Sequence, residues 1–378
     1  MPIKDTIKII LNKFRDWRVS AYAMHSVDGI ASGLVGVFIP IYFLTLGYSV
    51  AQIFIFFIIN NASILILFFV SSWFAKNFGL VKTLLLRLLF LALSLVLLFN
   101  LKSWPNSFYV ISVLSAAEIA FYWFTLHVVF AKSAKIEAMG DHVSKLYAIP
   151  NLVGLMVPLL GAGISVVFGF KALFVFAGVI YIVSIIPFLF VSNIPIEVNI
   201  DFRRILDYTR RYRKYFIAEF LSNMSSEVEG YILPIFLFLT FHNILSIGFL
   251  ATFLGLGSAI FTLLVGKYSD RIDRKKFLRA GAVAMIIIWV GFYFSINQAS
   301  FYVLSALAGF LGALISVPFN SIFYINAKNN HVEDFVIFRE IPISFGRVLL
   351  YSVGLLLVSQ IKIIFLLSVI PFIFFLFY

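Results

Sequence analysis

No cysteine occurs among the 378 residues, which excludes a disulfide framework, a thiolate metal site and a cysteine nucleophile. Charge is scarce as well. Only 12% of residues are Asp, Glu, Lys or Arg, about half the share of an ordinary soluble domain. Long polar stretches are missing, so no large aqueous domain fits between the apolar segments. There is no Gly-x-x-x-x-Gly-Lys-Ser/Thr loop, which argues against a nucleotide-driven pump. No His-Glu-x-x-His motif or paired aspartates occur, and the five histidines are scattered, so no metal or other cofactor is implied. No short apolar core with a small-residue cleavage site follows the N-terminus, as a secretory signal would require.

What remains is a chain that is 62% hydrophobic, with a mean hydropathy of +1.05. A crossing of the hydrocarbon core takes ~20 apolar residues. Runs of that length fall at 21–46, 51–74, 80–101, 108–130, 147–168, 172–191, 216–241, 244–265, 278–296, 301–325, 341–360 and 361–378. They are continuous blocks rather than ~10-residue alternating segments, which predicts membrane-spanning helices and not barrel strands. The fold class expected is therefore all-α and integral to the membrane, with twelve crossings.

The net charge of +12 has a simple explanation in its placement. Numbering the connections in order, 24 of the 29 Lys and Arg residues lie in the N-terminal segment, in the even loops or, as Lys82 and Arg279, in the first turn of the run that follows one. Only Lys102 and Lys171 lie in odd loops, with Lys362 at the junction of the last two runs, and Arg87 and Arg347 fall well inside runs. Positive residues stay on the cytoplasmic side during insertion. Both termini are thus predicted to be cytoplasmic, and no nucleic-acid partner is needed. Short loops without appended domains suggest a plasma-membrane protein acting as a monomer. The N-terminal segment also spaces Ile3, Ile7, Ile10 and Phe14 as an amphipathic helix would.

The chain repeats itself. Phe38-Ile39-Pro40-Ile41 in the first run matches Ile232-Leu233-Pro234-Ile235 in the seventh, at an offset of 194. The loop after the second run stands in register with the loop after the eighth at the same offset, and Ile149-Pro150 corresponds to Ile341-Pro342 at 192. A basic stretch with Arg203, Arg204, Arg210, Arg211, Arg213 and Lys214 separates the copies. The organisation expected is an N-terminal six-helix bundle at 1–194, a cytoplasmic basic linker at 195–214 and a C-terminal six-helix bundle at 215–378, related by an axis along the membrane normal.

Gly266-Lys267-Tyr268-Ser269-Asp270-Arg271-Ile272-Asp273-Arg274-Lys275-Lys276 resembles the loop signature of the major facilitator superfamily, Gly-x-x-x-Asp-Arg-x-Gly-Arg-Lys-Lys, with Asp273 in place of its glycine. The first copy is degraded: Ser72 stands for the glycine and Lys76 for the aspartate. The resemblance implies two bundles rocking about a central site, with a loop gate of Gly266, Asp270, Arg271 and Arg274. It implies that Asp270 faces the start of the fifth helix near Ser144–Tyr147, where a pair with Lys145 is available. Lys76 would then face Glu333, Asp334 and Glu340 at the start of the eleventh. Gly154–Ala162 is similar to a degraded form of the Gly-Pro-x-x-Gly-Gly segment of antiporter members, a slight lean toward export.

Ionisable groups inside a bilayer cost about 2.5–3.5 kcal/mol each on insertion scales, so they usually face a cavity. Helical spacing puts His25, Asp28 and Ser32 on one face, Glu118 and Tyr122 on another, Trp123 and His127 on a third, and Asn223 and Glu227 on a stripe from which Glu229 points away. Arg87 is expected to snorkel to the nearby interface and Glu219 to be interfacial. The candidate cavity set is His25, Asp28, Glu118, Tyr122, Trp123, His127, Asn223, Glu227, Asn320 and Arg347. Asp28, Glu118 or Glu227 would carry protons, or would hold a cationic solute against Tyr122 and Trp123. The function expected is secondary, proton-coupled transport of a small solute by alternating access. A transport-inactive receptor or assembly protein on the same fold, and a membrane-embedded lipid-modifying enzyme, are the competing readings.

Overall fold

The structure, a computed structural model, describes residues 14–191, 196–197, 202–271 and 273–378. The amphipathic N-terminal spacing falls largely outside the described residues, as do Ser192–Pro195 and Val198–Asp201 of the linker and Ile272 of the loop motif. Every regular element among the described residues is helical. Eleven helices are long and apolar enough to cross a membrane: α1 Trp17–Thr45, α2 Val50–Phe78, α3 Leu80–Asn100, α4 Pro105–Ser133, α5 Ile136–Val167, α6 Gly169–Phe190, α7 Arg213–Phe241, α8 Ile244–Ser269, α9 Arg274–Phe294, α10 Gln298–Lys328 and α12 Val358–Leu376. The remaining expected crossing, α11 Val332–Leu356, is 25 residues long but carries Glu333, Asp334, Arg339, Glu340 and Arg347, too much charge to meet the apolar standard. A short helix, Phe202–Arg211, lies in the linker.

Local chemistry sets the helix starts. Ser49 and Gln52 form a reciprocal capping box at α2, and the side chains of Asn243, Asn297 and Asp273 cap α8, α10 and α9. Two starts differ from the hydropathy reading. The fifth helix begins at Ile136 rather than Tyr147, and the eleventh at Val332 rather than Ile341. In both cases the first turns carry charges that a sequence window assigns to a loop, and the fold satisfies them by pairing.

The repeat reappears as geometry. Val50 and Ile244 open α2 and α8, Leu80 and Arg274 open α3 and α9, and Asn100 and Phe294 close them, each pair separated by 194 residues. Pro40 and Pro234 have no N–H to donate to the carbonyls of Gly36 and Gly230 four residues back. The chain leaves α geometry at both places. A tight 3-10 turn spans Gly36–Phe38 in α1, and a wide π turn spans Val228–Ile232 in α7.

Contacts between the halves run along two seams, α5 with α8 and α2 with α11. Glycines make the first seam possible. A side chain at Gly266 would meet Ser144 Oγ at 2.1 Å, and one at Gly140 would meet Ser269 Oγ at 2.2 Å. On the second seam, Phe57 stacks on Tyr351 with ring centroids 5.0 Å apart. Gly154–Ala162, read above for transport direction, forms the break in α5 and packs it on α1: a Cβ at Gly161 would lie 2.6 Å from the Leu34 carbonyl oxygen.

Candidate functional site

Between the halves lies a cavity of about 650 Å³. Its walls come from α1, α5, α7, α8 and α10 and from Met285 of α9, with His25, Tyr147, Glu229 and Asn320 as the polar groups that matter below. Ligand pockets span ~300–1,000 Å³, so the space suits a solute between sugar and drug size. A smaller recess of about 130 Å³, lined by Trp123, His127, Tyr147, Asn223, Arg339, Glu340 and Arg347, also lies between the halves.

At the linker end the halves are tied by polar bonds. Asp270 Oδ1 accepts from the Gly140 N–H at 2.8 Å, and Oδ2 from the Asp141 N–H at 3.1 Å. A carboxylate on the first amides of a helix is favoured by the helix dipole and by otherwise unpaired N–H groups. Arg274 steadies the same carboxylate at 3.1 Å. Lys132 pairs with Glu333 at 2.6 Å, and Lys328 donates to the Ala134 carbonyl. Deeper, His127 bonds Tyr324 at 2.8 Å and Arg339 at 3.3 Å, Tyr147 bonds Asn320 at 3.4 Å, and Asn151 bonds Ser258 at 2.8 Å. At the opposite end the contacts joining the halves are apolar: Phe57 against Tyr231, and Gly248 close to Ala162.

The gate residues separate into two groups. Gly266, Asp270 and Arg274 sit at the linker-end seal, and the helix start that Asp270 caps is Gly140–Asp141 rather than Ser144–Tyr147. Arg271 is exposed. Lys145 pairs with Asp141 at 2.6 Å rather than with Asp270. Lys76 is exposed and has no ion pair among the described residues. The acids expected to face it are held elsewhere, Glu333 by Lys132 and Asp334 by Arg204 of the linker helix. Glu340 lies in the recess and accepts from Ser344 at 3.1 Å.

The cavity residues also separate. Arg87 does not snorkel; it is buried, with Nη2 2.6 Å from Asp28 Oδ1 and 2.5 Å from Glu118 Oε1. Its guanidinium lies 4.1 Å from the centroid of the Tyr122 ring and 5.3 Å from that of Tyr181. Asp28, Glu118 and Tyr122 therefore form, with Arg87, a knot joining α1, α3 and α4 in which two carboxylates share one positive charge. Its link to the cavity is His25, which bonds the Tyr122 hydroxyl at 2.6 Å. Trp123 stacks on His127 in the recess.

In the other half, Glu227 is paired with Arg347 at 3.1 Å and accepts from the Tyr351 hydroxyl at 2.6 Å, while Arg347 also donates to Asn223. Glu219 is not interfacial. It is 1% exposed and lies 2.6 Å from Arg339 Nε, with Tyr215 and Asn223 as further donors. Arg339 also donates to Asn320 at 3.1 Å, so this one guanidinium reaches α7, α10 and, through His127, the other half. The hydropathy reading placed Arg339 in a loop. Its spacing of eight from Arg347, close to two helical turns, was the available signal. Glu229 is the second residue missed: it lines the cavity and has no hydrogen-bond or ion-pair partner among the described residues.

A helical membrane protein whose halves enclose a solute-sized cavity, tied by polar bonds at one end and by apolar contacts at the other, has the form of a transporter. The model of the Major Facilitator Superfamily matches residues 21–210 and 215–378, and the chain belongs to that family. Solved structures share the fold. The human organic anion transporter MFSD10 (TETRAN) has a TM-score of 0.69 at 14% identity, with 96% of this chain and 99% of that one covered. The Escherichia coli fucose:proton symporter FucP scores 0.68 at 12% identity, covering 96% of this chain and 98% of that chain. FucP in its outward conformation scores 0.65 at 12% identity, covering 95% and 97%. No curated protein sequence matches the chain.

Proposed function

We propose that the chain is a proton-coupled secondary transporter that moves a small solute by alternating access between two six-helix bundles, 1–194 and 215–378, joined by the linker 195–214. The observation that carries this reading is the cavity of about 650 Å³ between halves whose polar bonds gather at the linker end. With the basic linker placed in the cytoplasm by its charge, the polar seal lies on the cytoplasmic side. On this reading α11 is the twelfth crossing. Its charges are tolerated because Arg339 and Arg347 pair with Glu219 and Glu227 inside the protein rather than facing lipid. The protein sits in a plasma membrane, as a monomer, with both termini cytoplasmic.

The donors His25, Tyr147 and Asn320 on the cavity wall suit a solute rich in hydrogen-bond acceptors, while Arg339 and Arg347 are already paired with Glu219 and Glu227. The names of the structural neighbours, an organic anion transporter and a fucose:proton symporter, agree with that preference. The export reading rests on the resemblance of Gly154–Ala162 to antiporter segments alone.

A thermal-shift screen of sugars, organic acids and amines, followed by uptake of the stabilising compound into proteoliposomes, tests the proposal. Accumulation driven by an imposed pH gradient supports it. Uptake indifferent to the gradient removes proton coupling, and stabilisation without flux favours a transport-inactive receptor.

A further inference from the structure

Six carboxylates lie within the spans away from the linker-end seal, and five of them have a partner. Asp28 and Glu118 share Arg87, Glu219 has Arg339, Glu227 has Arg347 and Tyr351, and Glu340 has the Ser344 hydroxyl. Glu229 is the exception. It is half-buried on the cavity wall, in the π turn Val228–Ile232, beside Gly230, where a side chain would meet nothing within 4 Å.

The turn explains the difference in surroundings. Residues 227 and 229 are two apart, so they face opposite sides of a helix. Glu227 turns into its own half toward α11, and Glu229 turns into the space between the halves. The groups around Glu229 offer no fixed counter-charge. From α1 and α5 the cavity presents His25 and Tyr147, and from its own turn Tyr231. The cavity wall from α8 carries no ionisable residue. From α11 the nearest charge is Arg347, already engaged by Glu227 and Asn223, with Tyr351 bound to Glu227.

We propose that Glu229 is the proton-binding site of the cavity. This inference rests on the transporter reading and gives its coupling step a residue. An ionised carboxylate without a counter-ion in this setting is costly, and a proton reaching the cavity removes the charge. One carboxylate oxygen takes a proton from hydronium, leaving water, and after the halves rock the O–H breaks and the proton returns to water on the other side of the membrane. Asp28 and Glu118 keep Arg87 between them, Glu219 keeps Arg339 and Glu227 keeps Arg347, and these pairs serve as fixed struts; Glu340 has only the Ser344 hydroxyl.

The test needs no solute. Infrared difference spectra of the full-length chain in lipid nanodiscs, between mildly acidic and mildly alkaline pH, read the carbonyl stretch of a protonated carboxylic acid. A band that titrates in the wild type, disappears in Glu229→Gln, shifts but persists in Glu229→Asp and survives in Glu340→Gln supports the assignment. A band unchanged in Glu229→Gln, one removed by Glu340→Gln instead, or no titrating band at all overturns it. If Glu229→Gln fails to fold, an unshifted band in Glu229→Asp overturns it equally. A titrating Glu229 in a protein that moves no solute would sink the transporter reading alone, so the two failures are distinguishable.

Discussion

Asp270 Oδ1 sits 2.8 Å from the backbone nitrogen of Gly140, a side chain of one half capping a helix of the other. The bond is available only because Gly140 and Gly266 let α5 and α8 touch. Overfilling a packed contact costs about 1–3 kcal/mol. Gly266→Ala should therefore weaken the linker-end seal and raise labelling of a single cysteine at Ser144 by a membrane-impermeant reagent applied from the linker side. The chain is naturally free of cysteine, so no background has to be removed.

Lys132 and Lys76 should behave differently. Lys132 pairs with Glu333 across the seam at 2.6 Å, whereas Lys76 is exposed. Lys132→Gln should increase linker-side accessibility. Lys76→Gln should leave it unchanged, although the degraded loop motif taken by itself predicts an effect. The same labelling assay reads both.

Arg87 is the shared counter-ion of two buried carboxylates. Removing one partner of a buried ion pair costs about 3–5 kcal/mol, because the remaining charge has no solvent to return to. Arg87→Met should sharply lower the unfolding temperature in detergent. Replacing Asp28 and Glu118 by Asn and Gln in the same chain should recover part of the loss.

Gly36 and Gly230 occupy matching positions in the two copies, both on the cavity wall, and a methyl group at either meets nothing within 4 Å. Ala at these positions should leave solute-dependent thermal stabilisation intact. Gly36→Leu should fill the cavity and abolish that stabilisation with little change in the unfolding temperature of the protein alone.

Much of this architecture is legible in the sequence, and the exceptions share a physical cause. The apolar runs, the 194-residue repeat and the Asp270 loop each depend on local pattern, and the structure realises them at Val50 and Ile244 and at Leu80 and Arg274. Arg339, Glu219 and Arg87 were harder to place because hydropathy treats a charge as a sign of water. Each is instead satisfied by a residue far away in the chain: Arg339 by Glu219, and Arg87 by Asp28 and Glu118. Glu227 and Glu229 show a related limit. Spacing separates their faces, but only the fold reveals that the stripe with Glu227 is occupied by α11 while the opposite face looks into the cavity.

The most direct measurement is the sidedness of a cysteine at Ser258, which lines the cavity. In the otherwise wild-type chain it should be protected from impermeant reagent applied on the linker side. Asp270→Asn removes the charge that caps α5, a loss of about 0.3–1 kcal/mol, and should shift reactivity several-fold toward the linker side. Equal labelling from both sides in the parent, or sidedness unaltered by Asp270→Asn, would contradict a cavity held shut by that carboxylate.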